Sequence, residues 1–219
     1  LEKNGVDLIE LGMPFSDPLA DGPTIQNSSL EAINNGMTVK KLFAQLENFR
    51  EKVSVPVILM GYMNTVLQYG FEAFCKDAAA IGINGLILPD MPKYEFINSY
   101  RNIIEKYGLK FIFLATPETS QDRVRELDRL SSGFIYAVSS SSTTGTDKDM
   151  DLVKNYLHRL KSYELKNPVV VGFGIKDKES FTAACEYANG AIIGSAFVKN
   201  IASRNDRFKD AESFLKALF

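Results

Sequence analysis

The feature that most constrains this chain is an alternation. Short runs rich in β-branched and apolar residues fall at 6–11, 57–62, 85–88, 110–115, 134–138, 169–172 and 191–193, and the stretches between them repeat apolar residues with a helical period. The clearest helix is predicted over 38–50, where Val39, Leu42, Phe43, Leu46 and Phe49 follow i, i+3, i+4, i+7, i+10 while Lys40, Lys41, Glu47 and Asn48 take the other face. Thr119 with Asp122 reads as a capping box opening a helix that carries Val124, Leu127 and Leu130. Leu152, Val153, Tyr156, Leu157 and Leu160 give the next helix its buried stripe. Strands alternating with helices require a parallel sheet, because a parallel neighbour is reached only through a crossover. No Pro-, Ser- or charge-rich stretch divides the chain, so residues 1–219 are expected to form one domain.

Two α/β architectures bury strands on both faces. A doubly wound sheet typically places a Gly-rich phosphate loop after its first strand, whereas here the Gly-rich turns come late, at 172–174 and 190–194. Phosphate loops after strands seven and eight belong to the (β/α)8 TIM barrel, which is therefore the expected fold. Such a barrel takes roughly 250 residues and eight strands. With 219 residues and seven runs, the first strand and most of the first helix are expected to be missing at the N-terminus. The segment 1–5 reads as the last turn of a helix with Gly5 as its C-cap, and it has no signal-peptide core.

Composition excludes several classes of function. Twenty-five Lys and Arg against 27 Asp and Glu leave a formal charge of −2, which offers no broad footprint for nucleic acid or an anionic membrane. Apolar runs such as Pro168-Val169-Val170-Val171 fall far short of the ~20 residues of a spanning helix. Two cysteines, Cys75 and Cys185, cannot staple a domain of this size, and the expected compartment is the reducing cytoplasm.

Within that frame a few residues stand out. Strand alternation puts Glu10 on one face with Val6 and Leu8 at the C-terminal end of the first run, where barrel catalysts sit, and an acid inside an apolar run is costly without a reason. The loop 12–22 adds Asp17 and Asp21. Ser-Asp-Pro is a common turn, and Asp21-Gly22-Pro23-Thr24 reads equally as a helix cap, so the residues alone leave both acids open. Tyr136 alternates with Phe134 and Val138, and a core tyrosine is its ordinary explanation. The small polar segment 139–147 suits either a linker or a lid. Gly194-Ser195-Ala196 follows a run and opens a helix, so its amides, with the turn 172–174, favour a phosphate site. His158 is the single histidine and no run ends in Lys, which disfavours a histidine metal site, a Ser-His-Asp hydrolase and a Schiff-base aldolase. Carboxylates and tyrosine acting on a phosphorylated substrate remain.

The stretch 10–26, from Glu10-Leu11-Gly12-Met13-Pro14-Phe15-Ser16-Asp17-Pro18 through Leu19-Ala20-Asp21-Gly22-Pro23-Thr24-Ile25-Gln26, closely resembles the signature of the tryptophan synthase α subunit family. Gly172-Phe173-Gly174-Ile175 and Gly190-Ala191-Ile192-Ile193-Gly194-Ser195-Ala196 follow in the family's order, and the likeness covers essentially the whole chain. The resemblance implies a lyase that cleaves indole-3-glycerol phosphate to indole and glyceraldehyde 3-phosphate without a cofactor of its own. It implies Glu10 as the acid–base residue, Asp21 as the acceptor of the indole N–H, Tyr136 lining their site, and Gly174, Gly194 and Ser195 on the phosphate. Thr144 matches the family's lid threonine, within Ser142-Thr143-Thr144-Gly145 where relatives commonly read Gly-Val-Thr-Gly. Pro14, Asp17 and Asn64 are implied to face a PLP-dependent β subunit in an α2β2 heterotetramer that makes tryptophan. An isomerase or epimerase of another sugar phosphate, or a non-catalytic partner that activates the β subunit, are the competing expectations.

Overall fold

Parallel ladders account for the β runs. The computed structural model describes residues 1–138, 147–172, 174–202 and 206–218, with 147–152 as backbone alone, and its strand pairings among these residues are all parallel. Two compact units result, Leu1–Phe111 and Ile112–Phe219.

In the first unit the strands β1 (Ile9–Gly12), β2 (Val57–Met60), β3 (Gly85–Ile87) and β4 (Lys110–Phe111) lie side by side in that order. Leu59, Leu86 and Ile87 from the strands and Phe74 from helix α4 (Phe71–Ala80) are fully buried. Helix α1 (Pro23–Asn34) starts after Gly22 with proline in its first turn, where the missing N–H costs nothing. The helix expected over 38–50 begins as anticipated, with Thr38 Oγ1 accepting from the Lys41 amide, but α2 ends at Gln45 (Val39–Gln45). Asn48 turns left-handed at φ 60°, and a separate 3-10 turn, Phe49–Glu51, follows. The break lets the Arg50 guanidinium donate to the carbonyls of Val55 at 2.7 Å and Gly82 at 2.9 Å. Gly70, at φ 95°, separates α3 (Met63–Tyr69) from α4. The Gly5 C-cap is present, with φ 85° and its amide donating to Glu2.

In the second unit β5 (Phe113–Ala115), β6 (Ile135–Ala137), β7 (Val169–Val171) and β8 (Gly190–Ala191) form the other sheet. The single run 110–115 is thus two strands interrupted at Ile112, its first half pairing with β3 and its second with β6. Around them, after α5 (Lys93–Glu95) and α6 (Arg101–Lys106) of the first unit, come α7 (Gln121–Leu130), α8 (Asp147–Lys161), α9 (Lys178–Cys185), α10 (Ser195–Ala202) and α11 (Arg207–Leu218). The start of α7 departs from expectation. Ser120, not Thr119, is the cap, because the Thr119 hydroxyl is taken by the Thr116 amide in a preceding turn. His158 is exposed, as expected for a solvated helix face.

The two units repeat one hydrogen-bond pattern. The first amide of β1, Ile9, donates to the Pro56 carbonyl at 2.9 Å, Val57 N–H donates to Asn84 Oδ1 at 2.8 Å, and Asn84 N–H returns to Val57 O at 2.9 Å. In the second unit Ile135 donates to Pro168 at 2.9 Å, Val169 to Asn189 Oδ1 at 2.8 Å, and Asn189 returns to Val169 at 2.8 Å. An Asn-Gly pair therefore closes the start of a ladder twice, β2–β3 in the first unit and β7–β8 in the second, and in this repeat Glu10, opposite Ile58, holds the place that Tyr136, opposite Val170, holds in the other unit.

Candidate functional site

Glu10 lies inside β1, and its Oε2 is buried without a hydrogen-bond partner. Burial, and after it the neighbouring charge of Asp21, raise this carboxyl to about 7. Such a group is part protonated at neutral pH and is suited both to give and to take a proton.

Asp21 comes from the loop after β1. Its amide donates to Pro18 O at 3.1 Å, and the Gln26 amide group donates to its carbonyl at 2.8 Å. The side chain does not cap α1, whose N-cap is Gly22 and which shows no side-chain cap bond. Instead Asp21 Oδ2 accepts from the Tyr62 hydroxyl at 2.9 Å. Burial raises the Asp21 carboxyl, and the Tyr62 bond opposes that shift. The cap explanation that spacing left open is thereby removed, since the carboxylate faces inward to Tyr62 and to Glu10.

Tyr62 was legible in the sequence only as the last residue of the second run. It is 5% exposed, stacks on Phe15 at 5.3 Å, and its oxygen also accepts from the Ala20 amide at 3.0 Å. Asp90 is a second residue that pattern reading missed, and both its carboxylate oxygens accept from the Met63 amide, at 3.0 and 3.1 Å. A strand run that continues straight into a bulky polar residue at its C-terminal end, as 57–62 does, is the signal that points to Tyr62. No local signal marks Asp90.

The remaining loop residues separate by exposure. Met13 is buried, donates its amide to Met60 O at 2.7 Å, and lies so close to Gly61 that a Cβ there would stand 2.5 Å from its Cε. Asp17 is exposed and accepts from Ser16 Oγ at 2.5 Å, and Leu19 is 95% exposed. Pro14 is half-buried, while Asn64, in the first turn of α3, is exposed and accepts from Gln68 at 3.4 Å.

In the second unit Tyr136 is buried on β6 and lies over Gly172. Gly174 takes φ 60°, and Gly194 precedes the first residue of α10, Ser195, with Val198 N–H returning to Gly194 O at 3.0 Å. A Cβ on Gly174 or Gly194 would meet nothing within 4 Å, so both backbones are open to an approaching group. The amides at the start of α10 face outward with the positive end of the helix dipole. Thr144 lies outside the described residues. Among the described residues no group of three or more His, Cys, Asp or Glu is placed to hold a metal, and no helix is long and apolar enough to cross a membrane.

The chain as a whole is similar to known proteins. A family model described as tryptophan synthase alpha chain matches residues 1–218. The tryptophan synthase alpha chain of Flavobacterium johnsoniae is 58% identical over 203 residues, covering 92% of this chain and 80% of that one. That of Bacteroides thetaiotaomicron is 51% identical over 207 residues, covering 94% and 81%. Among solved structures, the tryptophan synthase A-subunit of Pyrococcus furiosus aligns with a TM-score of 0.88 at 34% identity, over 96% of this chain and 85% of that one. The alpha subunit of Legionella pneumophila aligns with a TM-score of 0.89 at 32% identity, over 99% and 82%.

Proposed function

The chain belongs to the family of tryptophan synthase alpha chains, and on that premise we propose how its residues carry out the family's reaction. The activity is that of a carbon–carbon lyase in tryptophan biosynthesis, cleaving indole-3-glycerol phosphate to indole and glyceraldehyde 3-phosphate. The fold class is α/β, of the (β/α)8 barrel type, in what we take to be a single domain.

The observation that carries the mechanism is the buried Glu10 carboxyl, held near neutrality beside Asp21. Protonated Glu10 gives its proton to indole C3. The positive charge that this creates on the ring is shared by the indole nitrogen, and the Asp21 carboxylate accepts the N–H and stabilises the cation. Glu10, now ionised, takes the proton of the hydroxyl next to C3. The carbonyl forms, the C3–carbon bond breaks, and its electron pair restores the neutral indole ring. Atoms and charge balance, and Glu10 ends protonated as it began. No step calls for a cofactor in this subunit. The family resemblance further assigns Tyr136 to the wall of the indole site, Thr144 to the group that acts on Asp21, and the backbone at Gly174, Gly194 and Ser195 to the phosphate through amide donors.

The indole is consumed by a PLP-dependent β subunit, with Pro14, Asp17 and Asn64 on the surface that meets it in a cytoplasmic α2β2 assembly. The exposure of Asp17, Leu19 and Asn64 supports that assignment. Incubating the purified chain with indole-3-glycerol phosphate, with and without a β subunit, and measuring indole directly tests the reading. Indole release above the uncatalysed rate is expected in both cases. No release in either would overturn it.

A further inference from the structure

Resting on the lyase reading, we propose that Tyr62 is the positioning residue for Asp21, fixing the loop backbone and the catalytic carboxylate together through one phenol oxygen. The geometry gives the bond a single direction. The Ala20 amide donates to the phenol oxygen at 3.0 Å, so the O–H proton is left for Asp21 Oδ2 at 2.9 Å. Consecutive residues of the loop, one through its backbone and one through its side chain, are thus held by the same atom of a residue 42 and 41 positions further along the chain.

Tyr62 is itself held. It is buried, its ring stacks on Phe15 of the same loop, and the next residue is pinned by Asp90, whose two oxygens both accept from the Met63 amide. The charged groups around Asp21 are Glu10 from β1 and, behind Tyr62, Asp90 from the segment after β3. Both are acids, and neither can favour ionised Asp21. Burial raises the Asp21 carboxyl and the phenol opposes that shift, while burial and the two nearby aspartates raise the Tyr62 phenol, so the proton stays on the donor. The same contact that aims Asp21 therefore also favours its carboxylate form, which is the state that its role toward a cationic ring requires.

Tyr62→Phe keeps the ring and its stack on Phe15 and removes only the oxygen. Amide exchange measured without substrate is expected to quicken roughly 3- to 10-fold at Ala20, the worth of one lost hydrogen bond. A carbon-detected NMR titration of the Asp21 carboxyl is expected to move to higher pH. The acid limb of indole release is expected to move the same way, with a larger loss in kcat than rise in KM. Incorporating 3-fluorotyrosine at 62 alone, a stronger donor of nearly the same size, is expected to move the Asp21 titration to lower pH, and it keeps the test open if phenylalanine unfolds the chain. An Asp21 titration unchanged in both variants, with unchanged Ala20 exchange, would overturn the proposal. Exchange and titration need no turnover, so a parent chain that releases no indole would refute the lyase reading and leave this test intact.

Discussion

The ring of Tyr136 fills the space that a side chain on Gly172 would need: a Cβ built on Gly172 would lie 2.5 Å from Cζ of the Tyr136 ring and closer still to Cε2 and Oη. Glycine is present there because the ring lies across the end of the neighbouring strand. The expected outcome of Gly172→Ala is a displaced Tyr136, a loss on the order of 1–3 kcal/mol from overpacking, and weaker indole release. Thermal melts and kinetics run together check it, and unchanged values in both would show that the ring yields freely.

Glu10→Gln keeps the shape of the side chain and cannot transfer a proton. Indole release is expected to fall by ~10²–10⁴-fold, the usual worth of general acid–base catalysis. Asp21→Asn is expected to be severely impaired as well, because a neutral amide cannot balance the ring's charge. Steady-state rates within a few-fold of the parent would remove either residue from the chemistry.

The raised Glu10 carboxyl also makes stability depend on pH. Between its ordinary value near 4.5 and about 7 the folded chain holds a proton that the unfolded chain has released. The stabilisation is complete below 4.5 and is lost as pH rises through 7, amounting to on the order of 3 kcal/mol for this group. Glu10→Gln carries no such charge. Its melting temperature is expected to exceed the parent's at pH 8 and to match it near pH 4.5, in scans at both values. Equal gaps at both would mean that Glu10 is not desolvated.

The open backbone at Gly194 supports the phosphate assignment through a substitution of opposite sign. Gly194→Asp sets a carboxylate at the start of α10, where the dianion is expected to bind. KM for indole-3-glycerol phosphate is expected to rise sharply with the fold and the Glu10 titration unchanged. An unchanged KM would place the phosphate elsewhere.

Asp17 is exposed on the loop that carries Asp21 four residues on. A β subunit docking on that loop, as proposed, is expected to bias the catalytic acid, and by linkage the two sites would then affect each other. Adding β subunit is expected to raise indole release, and Asp17→Ala to weaken that activation more than it changes the isolated rate. Titration of β subunit into both proteins decides it: equal activation of the two removes Asp17 from the coupling.

Much of this was legible in residue order. The periods of two and 3.6 located the strand runs and helices, since side-chain burial imposes those periods locally. Boundaries moved where contacts outside the local period come in, as after Gln45, where the helix stops short and Arg50 donates to Gly82 and Val55, and at Ile112, where one run serves two sheets. Glu10 was legible because an acid within an apolar run stands out. Asp21 was ambiguous because a helix cap and an inward carboxylate have the same local spelling.

By itself the sequence determined the alternation, the parallel ladders that follow from it, the resemblance to the family and Glu10 as an acid set within an apolar run. Only the tertiary structure decided how Glu10 and Asp21 are held. The bond from Tyr62 to Asp21, the shift of Glu10 to about 7 and the fit of Tyr136 over Gly172 all depend on groups far apart in the chain. Hydrogen bonds across strands and the loss of water around a carboxylate are properties of the folded surroundings, and no period in the residue order encodes them.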